Sequence, residues 1–293
     1  MIKRILRTLL LSAIISGTLF AHSGKPKFHV IVDTDGALDD MRSISMLLAG
    51  NDIRVLAITC SQGTLLPDSV FQKVKSLLSV YHHEGIPIGK GEELNQELPV
   101  WTSFAQHIVW GTSTGYTEKS NDTNSLEILN RTVADYHDKI ILIALGSLKT
   151  YADWLSTNPL LISKIDRIVW YNDLSVESGF NYKVSPGSFE IIEQTGIPLE
   201  IIANGSDKFL INNDYLQNIG NAKSIYAKQI GLVHKQPEIA ERIKQKHLQL
   251  WDDLVPLYLT VPLFFQIETK GNIRYILCSQ TFSACEFVHM TTD

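Results

Sequence analysis

Cysteine is scarce in this chain: Cys60, Cys278 and Cys285 are the three in 293 residues. Cys278 and Cys285 are near enough to pair across a C-terminal hairpin, which leaves Cys60 over. Three thiols without a catalytic role is the plainer reading. Positive charge is short as well, with 26 lysines and arginines against 31 aspartates and glutamates. No basic patch stands ready to replace phosphate counterions, which excludes nucleic acid as a partner. Long apolar runs are missing except at the very start, where LLLSAIISGTLF (9–20) follows Lys3, Arg4 and Arg7 and precedes the small residue Ala21. That run is short for a bilayer span of ~20 residues. It reads instead as a signal peptide over 1–21 that is removed, leaving no stable membrane insertion and an exported protein, periplasmic or secreted. Linkers, low-complexity stretches and internal repeats are also lacking. With 44% hydrophobic and 19% charged residues, residues 22–293 are expected to form one domain with a substantial core.

What is there is an alternation of strand and helix signals. FHVIVD (28–33) is an apolar run of strand length, followed by a segment in which Met41, Ile44, Leu47 and Leu48 recur on one helical face. IRVLAIT, IPIGKG, IILIALG, RIVWYN and PLEIIAN read as further strands. VFQKVKSLLSVYHH, SLEILNRTVADYH, LKTYADWL and PGSFEIIEQTG read as the helices between them. The second half is more helical, over roughly 221–232 and 237–260, and RYILC with CEFVHM reads as an edge hairpin. Such alternation means an α/β fold with a mostly parallel central sheet flanked by helices, a Rossmann-like open sheet whose strand ends share one ligand-binding edge.

The chemistry gathers in VDTDGALDDMRS (32–43), where Asp33, Asp35, Asp39 and Asp40 crowd the end of the first strand and the first turn of the next helix. Helix capping and the helix dipole account for one or two acids there. Four at the end of a buried strand point to a cation between them, and hard oxygen donors select Ca2+ or Mg2+.

Two families begin this way. DTDGAL resembles the opening of haloacid-dehalogenase-like phosphatases, which would make Asp33 a nucleophile and Asp35 its acid/base on Mg2+, with Ser147 after IILIALG as a second motif. Ala37, the short step from Ser147 to Lys149 and the YND at 171–173 depart from that pattern. The inosine–uridine nucleoside hydrolase family, opening in DxDxGxDD, is resembled along nearly the whole chain. IRVLAITCSQGTL looks like its ITTVxGN strand, GIPIGKG like VPVxxG, VWGTSTG like HGxxG and IILIALGSLKTYA like LLALGPLTNIA. FNYKVSPGSFEIIEQTGIPLEII resembles FNxxxDPEAAxxVFxSGIPxxxV, and LWDDLVPLYL the helix that begins HDPLA. The blocks occur in the family's order.

That resemblance implies hydrolysis of the N-glycosidic bond of ribonucleosides with one Ca2+. Asp35, Asp40 and Asp252 would ligate it, with the backbone carbonyl of Lys149. Asp35 would be the general base on a water held by the ion. Asp39 and Asn181 would bind ribose hydroxyls, and Asp33 would orient the ligands from behind. The substrate would be a nucleoside or related furanosyl compound, and the assembly a homodimer or homotetramer. The departures fall on substrate-gripping positions. Thr64 stands for an Asn, Ser185-Pro186 for Asp-Pro and Lys149-Thr150 for Thr-Asn. Gly179 stands for the Glu expected to hold the ribose 5′-hydroxyl, with Glu177 as its nearest stand-in. The loop before Asn181 is shorter, and Trp251, able to stack on a base, replaces the His proposed to protonate the leaving base. A sugar-binding protein without turnover is the implied alternative.

Overall fold

Alternating side chains of the first strand, β1 (Phe28–Thr34), settle where the core must lie: Val30 and Val32 point to one side, Ile31 to the other, and all three are fully buried. A strand buried on both faces belongs in the middle of a covered parallel sheet. The computed structural model describes residues 25–111, 123–203 and 209–278. Among these, β1 is followed by α1 (Leu38–Ala49), β2 (Ile53–Cys60), α2 (Pro67–Val80), β3 (Ile88–Lys90) and α3 (Thr102–His107). Then come α4 (Ser125–Asp135), β4 (Ile140–Ala144), α5 (Lys149–Thr157), β5 (Ile165–Tyr171), α6 (Phe180–Val184), α7 (Gly187–Gln194) and β6 (Leu199–Ala203). The last part holds α8 (Asn213–Asn221), α9 (Ile225–Val233), α10 (Pro237–Lys244), α11 (Leu254–Thr260), β7 (Phe265–Lys270) and β8 (Ile273–Cys278).

The strands form one sheet in the order β3-β2-β1-β4-β5-β6-β8-β7, parallel except for β7. The α/β architecture expected from the alternation is therefore the one observed. One face packs Val30, Val32, Ile141 and Ile143 against α1, α2 and the helices after β6. The other packs Ile31, Leu142, Ala144 and Trp170 against α4, α5 and α7. Each such aliphatic side chain contributes roughly 1.5–3 kcal/mol on burial. Strand order reverses between β1 and β4, and the crevice at a reversal is where open α/β sheets bind ligands.

Two expectations are corrected. RYILC is a hairpin strand, but its antiparallel partner is β7, upstream of it, and its other side is taken by β6. CEFVHM lies outside the described residues together with Cys285 and the signal segment. Residues 237–260 are not one helix. Lys246 turns with a φ of 58°, and the chain then runs extended, Leu250 N–H donating to Phe209 O and Ile211 N–H to Leu248 O. Pairing with the distant segment 209–211 overrides a local pattern that suits a helix. Among the described residues no helix is long and apolar enough to cross a membrane.

Candidate active site

At the β1–β4 reversal opens a cavity of about 400 Å3. The loops after β1, β2, β4 and β5 supply Asp35, Thr64, Leu145 and Asn172 to its wall; α1 supplies Asp39 and Asp40, and the approach to α11 supplies Asp252. Asp40 is tied into place by its neighbours. Its Oδ2 accepts from Thr34 Oγ1 at 2.6 Å, from the amide of Asp35 at 2.9 Å and from the amide of Gly36 at 3.3 Å. One carboxylate thus pins the end of β1 to the first turn of α1. Asp252 comes from more than two hundred residues away to stand against Asp40. Ligand oxygens of Asp39, Asp40 and Asp252 all lie within 4.8 Å of one another.

Asp35 stands beside that group with its carboxylate turned against the β2 loop. It accepts from the amide of Ala37 at 3.3 Å and from the amide and hydroxyl of Thr64. The approach is so close that a Cβ on Gly63 would fall 2.2 Å from Asp35 Oδ2, so the GT of ITCSQGTL is shaped around this side chain. Crowding shows in the acidities. Burial, then repulsion from Asp40, holds the Asp35 carboxyl well above the usual carboxylate range, and the same two causes raise Asp252. Asp39 is pushed up to about 7 by burial and by Asp40, with Arg42 opposing. Burial raises Asp40 against its hydrogen bonds.

A cation resolves these features together. Asp252 Oδ1 is buried and has no hydrogen-bond partner among the described residues, an acceptor that native structures leave unpaired at a real free-energy cost. It belongs to an all-oxygen cluster of the kind that suits a hard divalent ion. The donor set therefore fits a metal.

The remaining expected residues divide. Asn181, on α6, lines the cavity, its Nδ2 donating to Leu145 O at 2.7 Å and Tyr171 O at 3.0 Å, which leaves its Oδ1 as the atom it can offer. Trp251 also lines the cavity. Glu177, on a single 3-10 turn, is exposed and is not part of the wall; Asp173 is the acid of that loop which is. Lys149 faces a second, smaller cavity with Ser61, Gln62 and Ser147, and its ammonium pairs with Asp153 at 2.7 Å. Asp33 is fully buried behind the site, its carboxylate taken up by Thr59 Oγ1 and Ser61 Oγ, each at 2.6 Å, and by Thr150. Burial pushes it to about 7 against those hydroxyls. An acid so enclosed, outside the cavity wall, has no approach to a phosphoryl group, so the nucleophile role implied by the phosphatase likeness is set aside.

Several site residues were not singled out from sequence. Arg42 grips Asp253 with Nε at 2.8 Å and Nη2 at 2.7 Å, donates to Gln249 O at 3.1 Å, and lies 3.5 Å from His234 Nε2. Burial works against the charge on Arg42, and Asp253 more than offsets it. His234, buried beside that guanidinium, is pushed down to about 3 and is neutral. This pair ties α1 to the residue next to Asp252, and no local pattern marks it. Trp101 meets Phe180 edge-on at 4.9 Å and reaches Thr64 Oγ1 with Nε1 at 3.3 Å, so the aromatic wall touches the residue that holds Asp35. His247, an exposed imidazole on the rim, lies four residues before the tryptophan that stands for the family's histidine.

Among proteins of known description, the pyrimidine-specific ribonucleoside hydrolase RihA of Escherichia coli O8 is 26% identical over 283 residues, covering 89% of each chain. The purine-preferring ribonucleoside hydrolase from Gardnerella vaginalis has the same fold, with a TM-score of 0.71 at 14% identity over 90% of this chain and 99% of its own. The effector protein XOO4466 superposes with a TM-score of 0.73 at 12% identity, over 96% and 97%. Residues 30–279 match the family described as inosine-uridine preferring nucleoside hydrolase, which spans the sheet, the aspartate group and the aromatic wall alike, and the chain belongs to that family.

Proposed function

We propose that this chain cleaves ribonucleosides to free base and ribose with Ca2+ bound at the Asp39, Asp40 and Asp252 cluster, with Asp35 beside it as a further ligand and the general base. Family membership makes it an N-ribosyl hydrolase. When bound, the ion supplies positive charge that acidifies an adjacent water and fixes sugar hydroxyls at the site. Asp35, its carboxylate steadied by Thr64 and Ala37, takes a proton from the attacking water. The water oxygen bonds to the anomeric carbon, the carbon–nitrogen bond breaks, and its electron pair leaves with the base, which takes up a proton. The sugar passes through an oxocarbenium-like state, so carboxylate charge beside the ring lowers the barrier. Asn181 Oδ1 accepts from a sugar hydroxyl, and Trp101, Phe180 and Trp251 wall the rest of the substrate. The scheme requires no ligand from Lys149. Export with loss of residues 1–21 is part of the proposal.

The observation that carries it is the convergence of Asp39, Asp40 and Asp252 on one point with an orphaned oxygen, at the cavity of the strand reversal. The experiment is free-ribose release by residues 22–293 from uridine, cytidine, inosine and adenosine, with uridine tried first because the E. coli relative is named pyrimidine-specific. Release from at least one is expected. Calcium binding without release from any would favour the second reading, a sugar-binding member of the fold, which the absence of a side chain at Gly179 and of a histidine at Trp251 supports.

A further inference from the structure

A buried carboxamide on the cavity wall is not used by the hydrolytic scheme. Asn172 extends β5 by donating its amide N–H to Ile202 O at 3.0 Å, and its Nδ2 closes the following turn on Val176 O at 2.9 Å. The residue is 2% exposed, lines the main cavity, and its Oδ1 has no hydrogen-bond partner among the described residues. Buried acceptors without a donor are few in native structures, and each calls for a reason.

Facing it is Gly179, the residue before Phe180 and Asn181, both of which line the cavity. The backbone there has φ −63° and ψ 144°, a conformation open to any residue. Space alone demands glycine. A Cβ at 179 would lie 1.9 Å from Asn172 Oδ1, 2.6 Å from its Cγ and 2.9 Å from its Nδ2. A side chain at 179 and the carboxamide of Asn172 therefore exclude each other. The position whose side chain is missing and the residue that fills its space are two halves of one exchange.

We propose that Asn172 is a sugar-recognition residue: its carboxamide occupies the space that a side chain at 179 would fill, and its Oδ1 accepts a hydrogen bond from a hydroxyl of the bound sugar. The proposal rests on the nucleoside-hydrolase reading and deepens it. It replaces a charged acceptor by a neutral one at the sugar end, and it makes the shortened β5–α6 loop a reorganised binding element, with the turn at Val176 and the glycine at 179 both set by the one side chain.

The test uses full-length mature protein, with uridine and its 2′-, 3′- and 5′-deoxy analogues as substrates. Wild type is expected to disfavour one deoxy analogue about tenfold, the scale of a neutral hydrogen bond of ~1.4 kcal/mol. In Asn172→Ala, KM for uridine rises about tenfold, kcat stays within about threefold, and discrimination against that one analogue disappears while the others keep theirs. A strut that only holds the loop would not erase selectivity for a single hydroxyl. Gly179→Glu alone is expected to raise KM more than tenfold, and adding Asn172→Gly to it to recover most of the loss. The proposal is overturned if wild type is active but Asn172→Ala keeps its KM and its full selectivity, or if Asn172→Gly brings no recovery to Gly179→Glu. Ribose release from no nucleoside by wild type overturns the nucleoside reading and this proposal together, a result distinct from the other two.

Discussion

The two ends of the cavity are built on opposite principles. At one end, Asp35, Asp40 and Asp252 are almost wholly buried, and backbone amides and hydroxyls of residues 34–37 and of Thr64 fix the oxygens of Asp35 and Asp40. At the other, Trp101, Phe180, Trp251 and His247 are half-buried or exposed and held by ring contacts and loop geometry. Burying carboxylates is tolerable only where charge, hydrogen bonds and position are all matched, so the first end has little freedom to vary. Ring stacking and loop contacts tolerate exchange, and the departures from the family pattern at 64, 179 and 251 lie along that second end or on the β2 loop that links it to Asp35. The buried carboxylates are held by physical constraint, while the aromatic end is open to exchange.

The largest effect expected is on turnover. Asp35→Ala should lower ribose release by about 10²–10⁴-fold, the usual contribution of a positioned acid or base, with the fold intact by circular dichroism. If an aromatic substitution at the far end did as much damage, the division between the ends would not hold. Next comes stability. Asp253→Ala leaves the Arg42 guanidinium buried and unpaired and should cost about 3–5 kcal/mol in denaturant unfolding, whereas replacing both partners by apolar residues should cost far less.

The acidities give a third expectation, with its sign set by linkage. Without a cation, burial holds the carboxyls of Asp33 and Asp39 near 7, against about 3.9 for a free aspartate. Between about pH 4 and 7 these two acids make the folded chain bind more protons than the unfolded one, outweighing the opposite effect of buried His234, and stability should rise as pH falls through that window. Added calcium demands ionised carboxylates, so the stabilisation it confers in thermal unfolding should be greatest above pH 7 and fade toward pH 5. A metal-free chain that loses stability on acidification from pH 7 to 5 would contradict the reading of this end as a crowded carboxylate group. The smallest effect belongs to the recognition end. Trp101→Ala should raise KM by about 3–10-fold, as expected of an aromatic contact of ~0.5–1.5 kcal/mol, and leave kcat nearly unchanged.

How far the sequence disclosed this follows from the range of the interactions. An apolar run ending in DxD and continuing into DD is local, and so are the strand, the helix turn and the acids they carry. Asp252 needed the likeness of LWDDLVPLYL to a family block, because its own neighbourhood reads as an ordinary helix start. The extended stretch at 248–250 was hidden because Leu248 and Leu250 suit either conformation until residues 209–211 are known to lie alongside. The Arg42–Asp253 pair and the Asn172–Gly179 exchange join residues whose relation exists only in the folded chain. Thr64, read as a departure, holds Asp35 by two bonds, a role a short hydroxyl fills from the place of an amide.

The most direct test of the account is a calcium titration of ribose release from uridine by chelator-stripped protein. Release near zero without the ion, rising to a plateau at one calcium per chain and lost in Asp252→Ala, is the result expected. Undiminished release from the stripped protein, or a plateau that survives Asp252→Ala, would contradict the central claim that the buried aspartates are a cation site serving hydrolysis.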